Sequence, residues 1–461
     1  GLADTVVDAN FAALKAKVAT GVQFSSLTAE GLVDAVSSAE GLYRQPAVWR
    51  AMQTAGMSAD VGWDHSAADY AALYRSMLVA PLAAMGFSRF ALAQARPVKL
   101  AALLPLTGPF AFAGNAGREG FVDGVDYVNE VLGGIAGRKL ELIVEDTGYD
   151  VAKGTAAFNR VLSRERPDEL LFVYGDSTGI SKALAPEIAR IGLPYSATSF
   201  ANELADPEKY PTIFVFGPTY NDMMEALLRQ IRLQKGKARI ALVYSNTEFG
   251  RDPIPYVKER AKALGMEVVH EEVTPPAFTD ATPVVLNLRR ANPDFVLLQG
   301  YALSAEPLIL RAAREQGLRA QFMGTYYSAE LVLIQRAGPA AEGFTVTYHN
   351  PYWYDTLVPA VDEMRKFRQR KGRDTSYRPT YYMGSLAVAL GVAEAMRRAA
   401  QAGKLTRAGV VEYLEKIGDY NAMGLVQGYQ FVNHRIPYTK LYRASVKDGR
   451  FNAITDWLKL A

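Results

Sequence analysis

The sequence predicts an α/β chain built as two parallel-sheet lobes in succession, preceded by a short, mostly helical N-terminal segment. Three observations predict it. From Val98 onward, apolar strand-like runs alternate with amphipathic helix patterns, as expected of βα units whose strands are covered on both faces. The alternation comes in two sets, and each set needs a sheet of its own. A length of 461 residues, 49% hydrophobic and 21% charged, supplies core for two or three domains.

The first 78 residues form a separate piece. Leu32, Val36 and Leu42 mark one apolar helix face after Thr28, and Tyr70, Leu73 and Tyr74 mark another. The next segment, "YRSMLVAPLAAMGFSRFALAQA" (74–95), places Arg75 before a Leu/Val/Ala/Met-rich run that ends in Ala93-Gln94-Ala95. That is the small-x-small pattern of a secretory signal peptide, with Arg89 interrupting it and more than seventy residues in front; an Ala-rich linker is the other reading. Beyond it come the strand "VKLAALLPL", a helix from Ala116, "KLELIVED", a helix from Ala152, "ELLFVYG", a helix from Ile180 and "LPYSA". In the first helix Phe121, Val125, Val128 and Leu132 share a face, and Gly133-Gly134 stops it. The second set runs "TIFVFG", a helix carrying Met224, Leu227, Leu228 and Ile231, then "RIALVYS", "MEVVHEE", "DFVLLQG" and "AQFMGT" with helices between them. Long helices near 358–370 and 380–401 follow, and short strands at "GYQFV", "TKLYRASV" and "FNAITDW" close the chain.

Composition excludes several chemistries. The chain has no cysteine, which removes disulfides, thiolate ligands and thiol nucleophiles. Its four histidines are scattered without metal-ligand spacing, so no metal and no cofactor is expected. A net charge of +3 and the lack of a basic stripe argue against nucleic acid; the run "RKFRQRKGR" (365–373) reads as the exposed end of a helix. No stretch is long and apolar enough to span a bilayer.

Two motifs invite chemistry. In "LTGPFAFAGNAGREGF", Gly114, Gly117 and Gly120 are spaced G-x-x-G-x-x-G, ten residues past Leu104. The dinucleotide fingerprint requires G-x-G-x-x-G directly after the strand, so close helix packing or the rim of a cleft fits better than a phosphate cradle. "YGDSTGIS" (174–181) holds a literal G-x-S-x-G between a strand and a helix, the setting of a serine nucleophile. His349 and His434 lie downstream without a supporting motif. The alternative is a neutral socket: Ser177 and Thr178 hydroxyls, together with the unpaired N–H groups that open the next helix, suit a carboxylate. "YSATSF" (195–200), with Ser196, Thr198 and Ser199, ends the neighbouring strand and faces the same cleft in this reading. "TYHNPYWYD" (347–355) is a further aromatic cluster, either a cleft contact or a packed loop.

Residues 98 to about 458 resemble the type I periplasmic solute-binding proteins of the branched-chain amino acid (Leu/Ile/Val) ABC transporter family. The resemblance rests on "LLPLTGPFAFAGNAGREGF", "GGIAGRKLELIVEDT", "GDSTG", "GLPYSATSFANEL", "ARIALVYSNTEFG", "PDFVLLQGY" and "GLRAQFMGT", in that order. It implies a two-lobed type I periplasmic-binding-protein fold with three hinge crossovers, near 216–219, 344–347 and 437–440. The implied divisions are 98–216 and 346–438 for the first lobe, 217–345 for the second, and 439–461 for a return to the second. The family's carboxylate socket falls on Ser177 or Thr178 and on Ala197, Thr198 and Ser199; Ala113, with Phe112 beside it, is the first-loop contact. Phe249 and Tyr301 occupy cleft positions in the second lobe. Tyr326 falls where Leu/Ile/Val binders keep a glutamate for the ligand's ammonium, and a buried ammonium without such a partner costs several kcal/mol. The expected ligand is therefore a carboxylate on an apolar or aromatic body, walled by Phe112, Phe200, Phe249, Tyr301, Tyr326 and Tyr327. The resemblance also implies a monomeric, periplasmic, non-enzymatic receptor that serves an ABC transporter permease, with a ligand-sensing regulator as the alternative for the same fold.

Residues 1–78 resemble the extreme C-terminus of bacterial glycogen synthases, through "GLADTV" and "VGWDHSAADYAALYR". The lysine-containing glycine loop and the glutamate of those enzymes have no counterpart in this piece, so it is expected to be catalytically inert. Residues 79–97 would then be a signal-like or linker segment between two unrelated coding pieces.

Overall fold

The computed structural model describes residues 6–24, 28–58 and 96–460. The chain divides into two compact units, Gly1–Ala93 and Gln94–Ala461. The signal-like stretch 74–95 and the last helix pattern of the first piece lie outside the described residues.

In the first unit α1 (Phe11–Ala16), α2 (Ala29–Tyr43) and α3 (Pro46–Ser58) surround a very small core of Ala13, Ala19 and Met52. Among the described residues Leu42 packs against that core, whereas Leu32 and Val36 are exposed.

The second unit holds two sheets. In lobe 1, β1 (Val98–Leu104), β2 (Leu140–Asp146), β3 (Leu170–Gly175) and β4 (Tyr195–Ala197) are parallel in the order β2-β1-β3-β4. Alternation decides their faces. Leu100, Ala102, Leu104, Phe172 and Tyr174 pack with α4 (Ala111–Glu130) and α14 (Thr380–Gln401); Ala101, Leu103 and Val173 pack with α5 (Val151–Arg164) and α6 (Thr178–Arg190).

In lobe 2, α7 (Tyr220–Gln234) leads into β5 (Arg239–Ser245), α8 (Glu248–Arg251), α9 (Ile254–Ala263), β6 (Glu267–Thr274), α10 (Thr282–Ala291), β7 (Phe295–Gln299), α11 (Ala305–Glu315), β8 (Gln321–Gly324), α12 (Leu331–Ala337) and β9 (Thr345–Tyr348). Then α13 (Pro359–Arg370), α14 and α15 (Arg407–Glu415) precede β10 (Tyr438–Ser445), β11 (Arg450–Ala453) and β12 (Leu458–Lys459). Strands β6-β5-β7-β8-β9 are parallel; β10 runs antiparallel to β9, and both β11 and β12 pair antiparallel with β10.

Four details differ from the sequence reading. The first helix begins at Ala111, not Ala116, so all three glycines lie inside it. A Cβ on Gly114 would sit 2.2 Å from the Pro105 carbonyl oxygen, and one on Gly120 2.2 Å from that of Tyr382. These glycines bring α4 onto its neighbours; they do not cradle a phosphate. "TIFVFG" and "GYQFV" form isolated bridges, not strands, because their partners are divided: Ile213 pairs with Tyr195 while Val215 pairs with Arg435. Residues 345–348, where the resemblance placed the second crossover, form β9 and pair with β8 and β10. Finally, the basic run is not simply an exposed helix end. Arg368 is buried on Asp123 of α4, and Arg373 reaches both Asp123 and Asp126.

Candidate ligand-binding cleft

The side chains expected to act together all leave the carboxyl ends of parallel strands. Phe110 and Ala113 follow β1, Tyr149 follows β2, Asp176 to Thr178 follow β3, and Thr198 follows β4. From lobe 2, Phe249 follows β5, Tyr301 follows β7 and Tyr327 follows β8. In both sheets the strand order reverses beside the first strand, between β1 and β3 and between β5 and β7, which is where open α/β sheets leave a crevice. With Tyr220 and Tyr381, these residues line one narrow cavity of about 20 Å³. Its rings touch in sequence: Tyr149 to Phe110 at 4.0 Å between centroids, Phe110 to Tyr301 at 4.9 Å, Tyr301 to Phe249 at 4.8 Å, Phe249 to Tyr327 at 5.0 Å and Tyr327 to Tyr381 at 5.4 Å.

The hydroxyl loops form the polar side. Ser177 caps α6 with its Oγ accepting the Ile180 N–H at 3.4 Å, and it does so at φ +54°. A serine in that region costs about 1–3 kcal/mol, and such strain collects at functional sites. Thr178 Oγ1 lies 2.9 Å from Ser199 Oγ and 3.3 Å from the Tyr220 hydroxyl. The Thr198 hydroxyl donates to Asp176 Oδ1. Asp176 is only 8% exposed, and its Oδ2 has no hydrogen-bond partner. Burial pushes its carboxyl from 3.8 up to about 6, against the opposing pull of the Thr198 hydroxyl and the Ser177 N–H. No lysine, arginine or histidine lines the cavity.

Contacts cross the cleft at several points. Tyr149 and Tyr301 share a hydroxyl–hydroxyl bond of 2.7 Å, and the Tyr327 hydroxyl donates to the Thr198 carbonyl. Lys182 of α6 meets Asp252 of lobe 2 at 2.7 Å. Burial, reinforced by the charge of Asp176, raises the Tyr149, Tyr327 and Tyr381 hydroxyls and keeps them protonated.

Of the expected site residues, Ala113, Ser177, Thr178, Thr198, Phe249 and Tyr301 line this cavity. Ser199 stands behind it, bonded to Thr178. Ala197 lies in β4 opposite Gly175. Phe112 borders a neighbouring hollow with Pro276 and Phe278, and it touches the edge of Tyr381. Phe200 backs the wall against Tyr220 and Tyr326. Tyr326 is absent from the lining: its hydroxyl donates to the Thr380 carbonyl at 2.9 Å and its ring packs on His349. The cluster at 347–355 is a packed loop, with Tyr348 and Tyr352 buried against Tyr442. Sequence reasoning missed Phe110, Tyr149, Asp176, Tyr220 and Tyr381. Asp176 had a signal, a carboxylate between a buried strand and a helix start; the others converge only through the tertiary fold.

Nothing equips Ser177 as a nucleophile. His434 bonds the Ile213 carbonyl and Glu415, while His349, held neutral by burial that lowers it to about 3, packs against Phe200 and Tyr326. Neither histidine is hydrogen-bonded to Ser177.

Comparison with known proteins agrees with this geometry. The family pattern described as periplasmic binding protein matches residues 97–450. The Leu/Ile/Val-binding protein of Escherichia coli is 29% identical over 297 residues, 63% of this chain and 78% of that protein. A branched-chain amino acid ABC transporter structure from Thermus thermophilus with bound valine superposes with a TM-score of 0.73 at 25% identity, covering 80% of this chain and 98% of that one. The first piece matches the glycogen synthase of Rhizobium tropici, 56% identical over 78 residues, so the chain spans only 16% of that enzyme's length and 17% of its own. The pattern match and the two sheets with a crevice between them agree: the chain belongs to the periplasmic binding protein family.

Proposed function

We propose that this protein captures a small carboxylate-bearing ligand with an apolar or aromatic body between its lobes and presents it to an ABC transporter permease in the periplasm. The observation that carries this reading is the meeting of the hydroxyl loops, Ser177, Thr178 and Thr198, with Phe249, Tyr301 and Tyr327 around one cavity. The helix start at Thr178 contributes unpaired N–H donors and a partial positive charge toward a carboxylate. The rings take up the body, at about 0.8 kcal/mol for each buried CH₂. The lobes swing on the crossovers, and a ligand on lobe 1 replaces the Tyr149–Tyr301 bond with its own contacts as lobe 2 closes. The names of the relatives support a carboxylate ligand, since leucine, isoleucine and valine all carry one.

A calorimetric screen of the full chain against aliphatic and aromatic carboxylates and free amino acids tests this. Ser177→Ala combined with Thr178→Ala is expected to weaken any hit at least tenfold while circular dichroism stays unchanged. Unaltered affinity in that variant would remove the socket.

A further inference from the structure

The geometry points to a second anion subsite at the mouth of the cleft: Arg311 and Arg336, in the hollow beyond Phe110 and Tyr301, receive an acidic group on the far end of the ligand's apolar body. The inference rests on the reading of the cleft as a carboxylate site, and it narrows the ligand to a diacid with an apolar or aromatic spacer.

Size supplies the first argument. At about 20 Å³ the inner cavity takes about one water, so it has room for the oxygens of a headgroup and none for a body. The neighbouring hollow measures about 510 Å³, inside the range of roughly 300–1,000 Å³ usual for small-molecule sites. The two spaces share Phe110 and Tyr301, whose ring centroids lie 4.9 Å apart. Once those rings part, the aromatic cage opens into the hollow, and a ligand held by Ser177 and Thr178 extends that way.

The walls supply the second argument. Phe112 of α4, Phe278 of the loop after β6, and Leu303 and Leu308 beyond β7 give the hollow apolar sides. The Ser304 hydroxyl donates to the Pro276 carbonyl at 2.9 Å, which ties the Phe278 loop to the one that carries Tyr301. Leu308 and Arg311 are three residues apart in α11, so the guanidinium stands next to an apolar side chain on one helix face. Arg336, in α12, donates to the Leu303 carbonyl at 3.2 Å, a bond that holds it at the rim with further N–H donors to spare. Charge is the third argument. The lining of the hollow has two arginines and no carboxylate. Other arginines of this chain sit on acids, as Arg190 does on Glu187, Arg260 on Glu225 and Arg370 on Glu363. Among the described residues neither Arg311 nor Arg336 has such a partner. Two uncompensated guanidinium forks beside an apolar wall suit a carboxylate that arrives on an apolar spacer.

The test compares acids that differ only in the second charge: hexanedioate with hexanoate, octanedioate with octanoate, and benzene-1,4-dicarboxylate with 4-methylbenzoate. Binding is measured by calorimetry on the full chain at pH 7.5. In at least one pair the diacid is expected to bind at least tenfold more tightly than its partner. That advantage should shrink as salt is raised, because the arginines stand at the exposed mouth. Arg311→Ala combined with Arg336→Ala should erase it, Arg311→Lys should keep part of it, and Arg311→Glu should reverse it. Monoacids that bind as well as their diacids, while losing affinity in the Ser177/Thr178 double variant, would overturn the second subsite and leave the carboxylate socket standing. A diacid advantage that survives the double arginine variant would also overturn it. The cleft reading fails separately, if the acids that bind are indifferent to the Ser177/Thr178 double variant, and silence from all six compounds would overturn both.

Discussion

Asp176→Asn should stabilise the ligand-free protein near neutral pH, and the gain should fade in acid. Burial raises the carboxyl from 3.8 to about 6, a displacement worth about 3 kcal/mol. Between those two values the folded state holds a proton that the unfolded state has released, so stability rises as pH falls through about 6 toward 3.8. Above about 6 the full cost of the buried, half-satisfied charge is present; below 3.8 it is gone. Asparagine carries no such cost at any pH, although its amide N–H₂ placed where Oδ2 stands would lose about 1–3 kcal/mol for want of an acceptor. That penalty does not vary with pH. The difference between variant and wild type should therefore grow by about 2 kcal/mol in favour of asparagine from pH 4.5 to pH 8. Urea unfolding of both proteins across that range measures it, and taking the difference cancels the titration of distant groups. A difference constant to within about 0.5 kcal/mol would show that Asp176 is hydrated or paired in solution, and the reasoning would fall.

Other outcomes follow from the same packing. Tyr301→Phe keeps the ring but removes the 2.7 Å bond to Tyr149; at about 1 kcal/mol, that should shift the closed-to-open ratio about fivefold toward open, read by small-angle scattering, and an unchanged profile would show that the bond is no latch. Asp123→Ala leaves the buried Arg368 guanidinium without its partner; a loss of about 3–5 kcal/mol is expected in urea unfolding. Gly120→Ala drives a methyl into the Tyr382 carbonyl, 2.2 Å from the new Cβ, so α4 and α14 must part, and the melt should show a loss of about 2 kcal/mol or more; a neutral result would mean the helices are less closely seated.

Much of the fold could be read in advance because its rules are local. The short continuous apolar runs at 98–104 and 239–245 announce buried strands, and the apolar spacing of Met224, Leu227, Leu228 and Ile231 announces a helix, whatever surrounds them. The hydroxyl loop was legible for the same reason, since Ser177 must follow a buried strand and open a helix. Tyr326 and Tyr327 show where local reading stops. They are adjacent and chemically identical, yet one hydroxyl goes to Thr380 at the first turn of α14 and the other to Thr198 across the cleft. A short 3₁₀ turn sends the two rings in different directions, and no pattern in the sequence encodes that choice.

The order of strands and helices, the split at the end of the first piece and the hydroxyl-bearing ends of β3 and β4 were determined by the sequence alone, because periodicity and helix-start chemistry act over a few residues. The aromatic cage was decided only by tertiary structure. Phe110, Tyr149, Tyr220 and Tyr381 come from four separate segments, and they meet because parallel strands in two sheets point their carboxyl ends at one crevice. The charge state of Asp176 was decided there too: a carboxyl titrates according to what shields it from water, and that shield is assembled from both lobes.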